Sequence, residues 1–195
     1  MEEIEIIMNE LENLYKYLLD DDILSYENEI FKIIPELKYE KNFEQRSEWH
    51  CYDVWMHTVA TINACEKSFE NRLVMLLHDI GKPFSYQEDG EMRHFKNHAT
   101  KSAEISKKIL DRLNISLKPK ENILKLIEMH STEIKPECVS LDDIEFYIRL
   151  LKIQRCDAQG YEPQHSLKIL ERLNITENIL INKLKQKKED LDTER

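Results

Sequence analysis

Apolar residues recur at steps of three and four near the start of the chain, which is the spacing of one face of an α-helix. Two runs show this pattern, one over residues 4–19 and one over residues 23–34, and Pro35 ends the second. A polar stretch follows at 38–48. The later pattern predicts further helices at 52–66, 71–79, 95–113, 119–130, 141–158 and 163–173, with a charged final helix from residue 176.

Turn-forming residues are scarce in this chain. Three glycines and five prolines are too few for a many-stranded β protein, so we expect an all-α fold, a compact helical bundle. The turn signal Asp89-Gly90 predicts a small loop or hairpin near residues 84–94. Three parts are expected: a helical N-terminal lead at 1–48 packed on the core, a central domain at 49–175, and a charged C-terminal helix at 176–195.

The charge balance opposes loose binding to polyanions. Lysine and arginine number 28 against 38 aspartates and glutamates, a formal net charge of −10, whereas nucleic acids and anionic membranes attract basic surfaces. No run approaches the roughly 20 apolar residues of a membrane span, so we expect a cytoplasmic protein without membrane contact. The cysteines form no CxxC pair, and we expect buried reduced thiols at Cys51, Cys65, Cys138 and Cys156.

Histidines are numerous and clustered, with five of the seven between residues 50 and 98. His78 and Asp79 are adjacent at the end of an apolar helix, where two unpaired ionisable groups cost several kcal/mol that a bound cation would remove. Imidazole nitrogen with carboxylate oxygen suits a divalent ion such as Mn, Mg, Ni, Co or Fe. We expect Gly81 to let the chain turn after these residues, so that Lys82 projects a cation where a phosphate would bind.

The segments His50-Cys-Tyr-Asp-Val-Trp-Met-His57 and Leu77-His-Asp-Ile-Gly-Lys-Pro83, followed far along the chain by Asp157, resemble the HD superfamily of metal-dependent phosphohydrolases. The similarity is greatest to the HD domain of bacterial CCA-adding tRNA nucleotidyltransferases. It implies a helical HD-type bundle and one or two divalent ions per chain. The ligands that it implies for one ion are His57, His78, Asp79 and Asp157.

The same resemblance implies roles for further side chains. His98 and His130 match positions that bind either a second metal or the substrate phosphate, and both roles stay open. The catalytic set that we expect is Asp79, Lys82, His98 and His130. For substrate binding we name His50, His94 and Arg155, although a surface ion pair explains Arg155 equally well. The aromatic residues Trp49, Tyr52 and Trp55 either stack on a base or belong to the core.

The function implied is hydrolysis of small, nucleotide-like phosphoesters: phosphomonoesters, 2′,3′-cyclic phosphates or nucleotides. The chain shows no Gly-Ser turn followed by paired carboxylates, so we do not expect CCA addition by this chain alone. The alternative is a stand-alone tRNA-binding or assembly module with a structural metal, although the net charge does not favour RNA as a partner. A diiron oxygenase is a third hypothesis. Exact substrate, metal count and oligomeric state stay open.

Overall fold

The computed structural model describes residues 2–193, with the side chains of residues 5–186. Within this range the chain forms eight α-helices, four short 3₁₀ helices and one antiparallel hairpin. The α-helices are α1 (Glu2–Leu19), α2 (Glu27–Ile33), α3 (Val54–Ala64), α4 (Phe69–Leu77), α5 (His98–Arg112), α6 (Leu117–Met129), α7 (Ile144–Ala158) and α8 (Pro163–Thr193). The strands are β1 (Gln87–Asp89) and β2 (Met92–His94), and the 3₁₀ helices are Ile23–Tyr26, Pro35–Tyr39, Lys82–Phe84 and Pro136–Cys138.

Helix α4 lies at the centre of the bundle. Every residue from Asn71 to Leu77 is buried, and α4 packs against α1, α3, α5, α6 and α7. Its apolar side chains therefore surround the whole helix instead of forming one stripe, as expected for an element without a solvent face. Fully burying each such side chain contributes about 1.5–3 kcal/mol. Because α4 is buried up to its last residue, the residues that follow it, His78 and Asp79, also lie in the interior.

The N-terminal helices pack on this core. Leu14 and Leu18 of α1 are fully buried, and the buried Arg72 guanidinium of α4 donates to the carbonyl oxygens of Leu18 at 2.7 Å and Asp20 at 2.9 Å. Trp55 of α3 is 1% exposed and donates to Glu27 Oε2 at 2.7 Å. Of the two roles open for Trp55, the structure therefore supports the core. The boundary between residues 48 and 49 stays a prediction.

The all-α class and the hairpin are confirmed, since β1 and β2 pair across Gly90, which has φ +62°. The end of the chain differs from the prediction, because α8 runs without a break from Pro163 to Thr193 instead of forming two helices. Leu173, Thr176 and Leu180 are all buried, so the apolar face continues through the predicted gap. No helix within residues 2–193 has the length and apolar character needed to cross a bilayer.

The expectation for the cysteines is half wrong. All four are free, but only Cys65 and Cys156 are buried, whereas Cys51 and Cys138 are exposed. Cys51 lies in the turn before α3, and Cys138 ends the 3₁₀ helix Pro136–Cys138. Apolar neighbours in the sequence are therefore not sufficient to predict a buried thiol.

Candidate metal centre

Six side chains from five helices or their ends converge below the bundle surface. His57 lies on α3, His78 and Asp79 follow α4, and Asp157 lies near the end of α7. His98 begins α5, and His130 caps the C-terminus of α6. The sequence separates these positions by up to a hundred residues, and the packing of four helices around α4 brings them together.

One group of contacts joins His57, His78 and Asp157. The His57 Nε2 atom lies 3.0 Å from Asp157 Oδ1 and 3.3 Å from His78 Nε2, and His78 Nε2 is 3.4 Å from the same Asp157 oxygen. Asp79 Oδ2 completes the group at 3.4 Å from His57 Nε2 and 3.3 Å from His78 Nε2. The four ligands expected from the sequence thus lie together, with the Nε2 atoms of His57 and His78 each in contact with both carboxylates.

The second carboxylate oxygen of Asp79 faces a different pair of histidines. Asp79 Oδ1 lies 3.4 Å from His98 Nε2 and 3.6 Å from His130 Nε2. These two ring nitrogens are 3.2 Å apart. Asp79 therefore stands between two donor groups, with one oxygen directed at each.

Backbone carbonyls fix the tautomer of all four rings. The Nδ1 atoms of His57, His78, His98 and His130 lie 2.6–3.0 Å from the carbonyl oxygens of Gly160, Met75, Phe95 and Ile127, in that order. A carbonyl only accepts hydrogen bonds, so each Nδ1 carries a hydrogen and donates it. A ring that is neutral then presents an Nε2 lone pair to the centre, and a ring that is protonated presents an Nε2 hydrogen. Two facing lone pairs at hydrogen-bond distance need a proton or a cation between them.

The donor set fits a divalent cation. Nδ1 donation to a backbone carbonyl is the usual support of a histidine that binds metal through Nε2. Both Asp79 oxygens are buried without a hydrogen bond of normal geometry, although Lys82 Nζ lies 2.6 Å from Oδ2. Two sets could hold an ion, namely His57, His78 and Asp157, and His78, Asp79 and His130. Mixed imidazole and carboxylate ligands suit Mn, Fe, Co, Ni or Mg better than a thiolate-type zinc site.

The charges at the centre are strongly coupled. Burial alone would lower the pKa of His78, but the carboxylates of Asp79 and Asp157 outweigh it and raise that pKa to about 10. Burial would raise the pKa of both carboxyl groups. The charges of His78 and Lys82 nevertheless hold the pKa of Asp79 well below its usual range, and hydrogen bonds from His57 and His78 do the same for Asp157. Both aspartates are therefore anionic and attract a cation.

Burial has the opposite effect on two other rings. It lowers the pKa of His98 to about 4, against the opposing charge of Asp79. It also lowers the pKa of His50 to about 2. Both rings are neutral at physiological pH. His98 therefore offers its Nε2 lone pair as a ligand or acceptor, and its side chain, 18% exposed, reaches solvent more than those of His57, His78 and His130.

Lys82 is held inside the protein. Its ammonium group lies 2.6 Å from Asp79 Oδ2 and donates to Gln45 Oε1 at 2.7 Å, and the side chain is 4% exposed. Gln45 is oriented in turn by donating to the Tyr52 carbonyl at 3.2 Å. The structure thus places Lys82 against the aspartate of the doublet, and direct contact with phosphate stays a prediction.

Two glycines are required by close packing around the centre. A Cβ on Gly160 would lie 2.5 Å from His57 Cε1 and closer still to Nδ1. A Cβ on Gly81 would lie 2.5 Å from the backbone nitrogen of Ser102 and 2.6 Å from the His98 carbonyl oxygen. The chain turns at Gly81 as expected, but its φ of −81° is open to any residue, so the turn itself does not require glycine. Glycine is needed for another reason, because the absence of a Cβ lets the start of α5 pack directly against the chain at Gly81.

The structure leaves three named residues outside this cluster or at its edge. His94 is exposed on β2, and Arg155 pairs with Glu177 Oε2 of α8 at 2.6 Å, the ion pair that the sequence left open. His50 lies against the cluster, with its ring centroid 5.1 Å from that of His57. Binding of substrate by these three residues stays a prediction.

Sequence reasoning missed several residues that support the centre. Tyr161 O–H donates to Asp157 Oδ2 at 3.4 Å. Glu40 is fully buried, and burial together with the Asp79 charge raises its pKa well above the usual range, so it is neutral and accepts from Thr58 Oγ1 at 3.2 Å. The spacing of Tyr161, four residues after Asp157, could have suggested contact. Nothing in the local sequence marks Glu40 as buried.

A helical bundle with a buried histidine and aspartate cluster defines a class of metal-binding helical proteins. A family model described as the HD domain matches residues 50–178, and the chain belongs to this family, a superfamily of metal-dependent phosphohydrolases. The chain is also similar to the "CC-adding tRNA nucleotidyltransferase" of Thermus thermophilus, at 28% identity over 123 residues. The matched region is 60% of this chain and 28% of the relative. The chain therefore aligns with less than a third of that protein.

Proposed function

We propose that this protein hydrolyses nucleotide-like phosphoesters, among them phosphomonoesters and 2′,3′-cyclic phosphates. The observation that carries the proposal is Asp79, whose two oxygens face the His57–His78 pair and the His98–His130 pair. A carboxylate between two pairs of histidines suits a site that holds a cation on one side. The other side would take a second cation, or a phosphoryl group once a histidine there carries a proton on Nε2.

The ion would be held by His57, His78, Asp79 and Asp157, and when bound it supplies Lewis acidity toward a water and a phosphoryl oxygen. In the reaction water delivers hydroxyl to phosphorus, the P–O ester bond breaks, and the leaving oxygen takes up a proton. Lys82 offsets the charge of Asp79 from inside the protein, and Gln45 keeps the ammonium group in place.

His98 and His130 occupy the outer side of the centre. His98 is the most exposed ring of the four, so its edge is the part of this histidine group nearest to solvent. Both Nε2 atoms then act either on a second ion or on the phosphoryl group itself, the two roles that the sequence leaves open. A second ion would use the Nε2 lone pairs that the Phe95 and Ile127 carbonyls direct inward. Contact with a phosphoryl oxygen would instead require a proton on Nε2, because that oxygen only accepts hydrogen bonds.

The test is hydrolysis by purified protein loaded with Mn²⁺ or Mg²⁺. The panel comprises p-nitrophenyl phosphate, bis(p-nitrophenyl) phosphate, adenosine 2′,3′-cyclic phosphate and adenosine 5′-monophosphate. We expect turnover of at least one substrate and a loss of about 100-fold or more in Asp79→Asn. Asp21→Asn is the matched control, because Asp21 is 82% exposed and pairs only with Lys67 in the described side chains.

Two results would contradict the proposal. One is a metal-loaded protein that turns over no member of the panel, and the other is wild-type activity in Asp79→Asn. Metal binding without turnover, together with an affinity for tRNA that falls steeply with salt, would instead support the tRNA-binding module. The similarity to the CC-adding enzyme is the reason to include that arm.

A further inference from the structure

A cavity of about 500 Å³ lies beside the metal centre and shares a wall with it. His50 and Tyr161 form that wall: their rings are 4.6 Å apart and nearly parallel, at 30°. On the inner side His50 meets the His57 ring edge-on at 5.1 Å, and the Tyr161 hydroxyl contacts Asp157 Oδ2. A molecule in the cavity is therefore separated from His57 and Asp157, two of the expected metal ligands, by the His50 and Tyr161 rings.

The cavity is basic in an acidic protein. Its lining, taken over the described side chains, contains Lys168 and Arg172 and no carboxylate. Two other surface cavities each have three glutamates in their lining, and one of the two shares Lys168 and Arg172 with this cavity. With 38 acidic residues in the chain, the absence of acids here creates a local site for an anion.

The two cations are available to a ligand. Lys168 and Arg172 are one turn apart on α8, so both face the same side of the helix. Both are exposed. Within residues 5–186, Lys168 forms no ion pair, whereas Arg172 forms a long and exposed ion pair with Glu133, 3.9 Å between Nη1 and Oε1. Two exposed cations at this spacing can contact the oxygens of one phosphate group together, with Arg172 exchanging its weak pair with Glu133 for the phosphate.

An aromatic surface lies at the rim of the same cavity. Trp49 is 42% exposed, and its inner face stacks on His165 with ring centroids 4.0 Å apart. The Trp49 carbonyl accepts from the Glu162 backbone nitrogen at 2.9 Å, which fixes the residue against the turn between α7 and α8. A fixed tryptophan with one free face is a surface on which a nucleobase stacks.

We infer that this cavity binds the part of a nucleotide that is not cleaved: its base on Trp49, and a phosphate additional to the scissile one on Lys168 and Arg172. This inference rests on the proposed function and specifies its substrate class as nucleotides with at least two separate phosphate groups. Adenosine 3′,5′-bisphosphate is the smallest such probe, and adenosine 5′-monophosphate lacks the second phosphate.

Trp49 provides a direct binding signal, because the other tryptophan, Trp55, is 1% exposed. We expect the bisphosphate to quench the fluorescence of the Mn²⁺-loaded protein and to bind about tenfold more tightly than the monophosphate, the size of effect of one charged hydrogen-bonded contact. Lys168→Met and Arg172→Met should each remove most of this preference. The control is Lys152→Met, at a lysine of α7 that pairs with Glu66, and this variant should retain the preference for the bisphosphate.

The quench should disappear in Trp49→Phe. The inference is overturned if Lys168→Met and Arg172→Met both keep the preference for the bisphosphate, or if the quench persists in Trp49→Phe. The experiments distinguish a failure of this inference from a failure of the proposed hydrolysis. Binding with the expected preference but without turnover of any phosphoester would reject hydrolysis and retain the site, whereas turnover without the preference would do the reverse.

Discussion

Replacement of Gly160 by alanine should weaken metal binding without touching any ligand. The new Cβ would lie 2.5 Å from His57 Cε1, about 1 Å closer than an ordinary carbon contact of about 3.5 Å. The ring has no room to retreat, since His78, Asp79 and Asp157 lie 3.0–3.4 Å from its Nε2 atom. Nε2 must therefore move, or the Nδ1 bond to the Gly160 carbonyl must break.

Two magnitudes follow from this geometry. Loss of the group that orients a metal-bound histidine costs about 10–100-fold in affinity, or about 1.4–2.7 kcal/mol. Overpacking of the interior adds about 1–3 kcal/mol of destabilisation. Both effects should appear in Gly160→Ala, the first in a calorimetric Mn²⁺ titration and the second in urea unfolding of the metal-free protein.

The control is Gly90→Ala at the hairpin turn. Gly90 has φ +62° with nothing within 4 Å of an added Cβ, so this variant carries about 1–2 kcal/mol of backbone strain and no clash. Its metal affinity should equal that of the wild type. A folded Gly160→Ala protein that binds Mn²⁺ as tightly as the wild type would refute the argument that Gly160 sets the position of His57.

Three further outcomes are expected. Chelation should lower the melting temperature by about 5–10 °C, because an ion at 100 times its Kd stabilises by about 2.7 kcal/mol; equal melting curves with and without chelator would contradict a bound ion. Metal binding near pH 7 should release one proton from His78, because its pKa of about 10 keeps it charged in the metal-free centre. The metal affinity should therefore rise about tenfold per pH unit below that pKa. Calorimetry in buffers of different ionisation enthalpy counts the released proton, and none should be released in His78→Ala. Arg72→Met should destabilise the protein by about 2–4 kcal/mol in urea unfolding, because three carbonyl partners, those of Leu18, Asp20 and Cys65, lose charged hydrogen bonds; a loss below 1 kcal/mol would show that these bonds do not tie α1 to the core.

Local pattern was sufficient to predict most helices and the hairpin. Periodicity predicts where an apolar face exists, and the Asp89-Gly90 turn carries its own conformational signal. The break expected near residue 174 is wrong, because two polar or β-branched residues do not end a helix whose buried face continues through Thr176 and Leu180. A helix boundary without glycine or proline depends on tertiary packing, which no local window contains.

The grouping of the candidate ligands required more than periodicity. His78 and Asp79 follow from chemistry, since they end an apolar helix, but joining them to Asp157 depended on family resemblance. The supporting residues were out of reach for a physical reason. Gly160 contacts the His57 ring, which is 103 positions away in the sequence. Glu40 differs from other glutamates in being buried. Neither property leaves a signal in the neighbouring sequence.

Three of the four converging rings are oriented by their own chain segment. His78, His98 and His130 each donate to the carbonyl three residues before them, whereas His57 depends on the distant Gly160. The direction of those three rings is consequently set by hydrogen bonds within each short segment and not by a distant part of the bundle. In protein design, a histidine that donates to the carbonyl three residues before it could be placed at the end of an unrelated helix. Only a ligand in the position of His57 would need a carbonyl supplied by a distant residue.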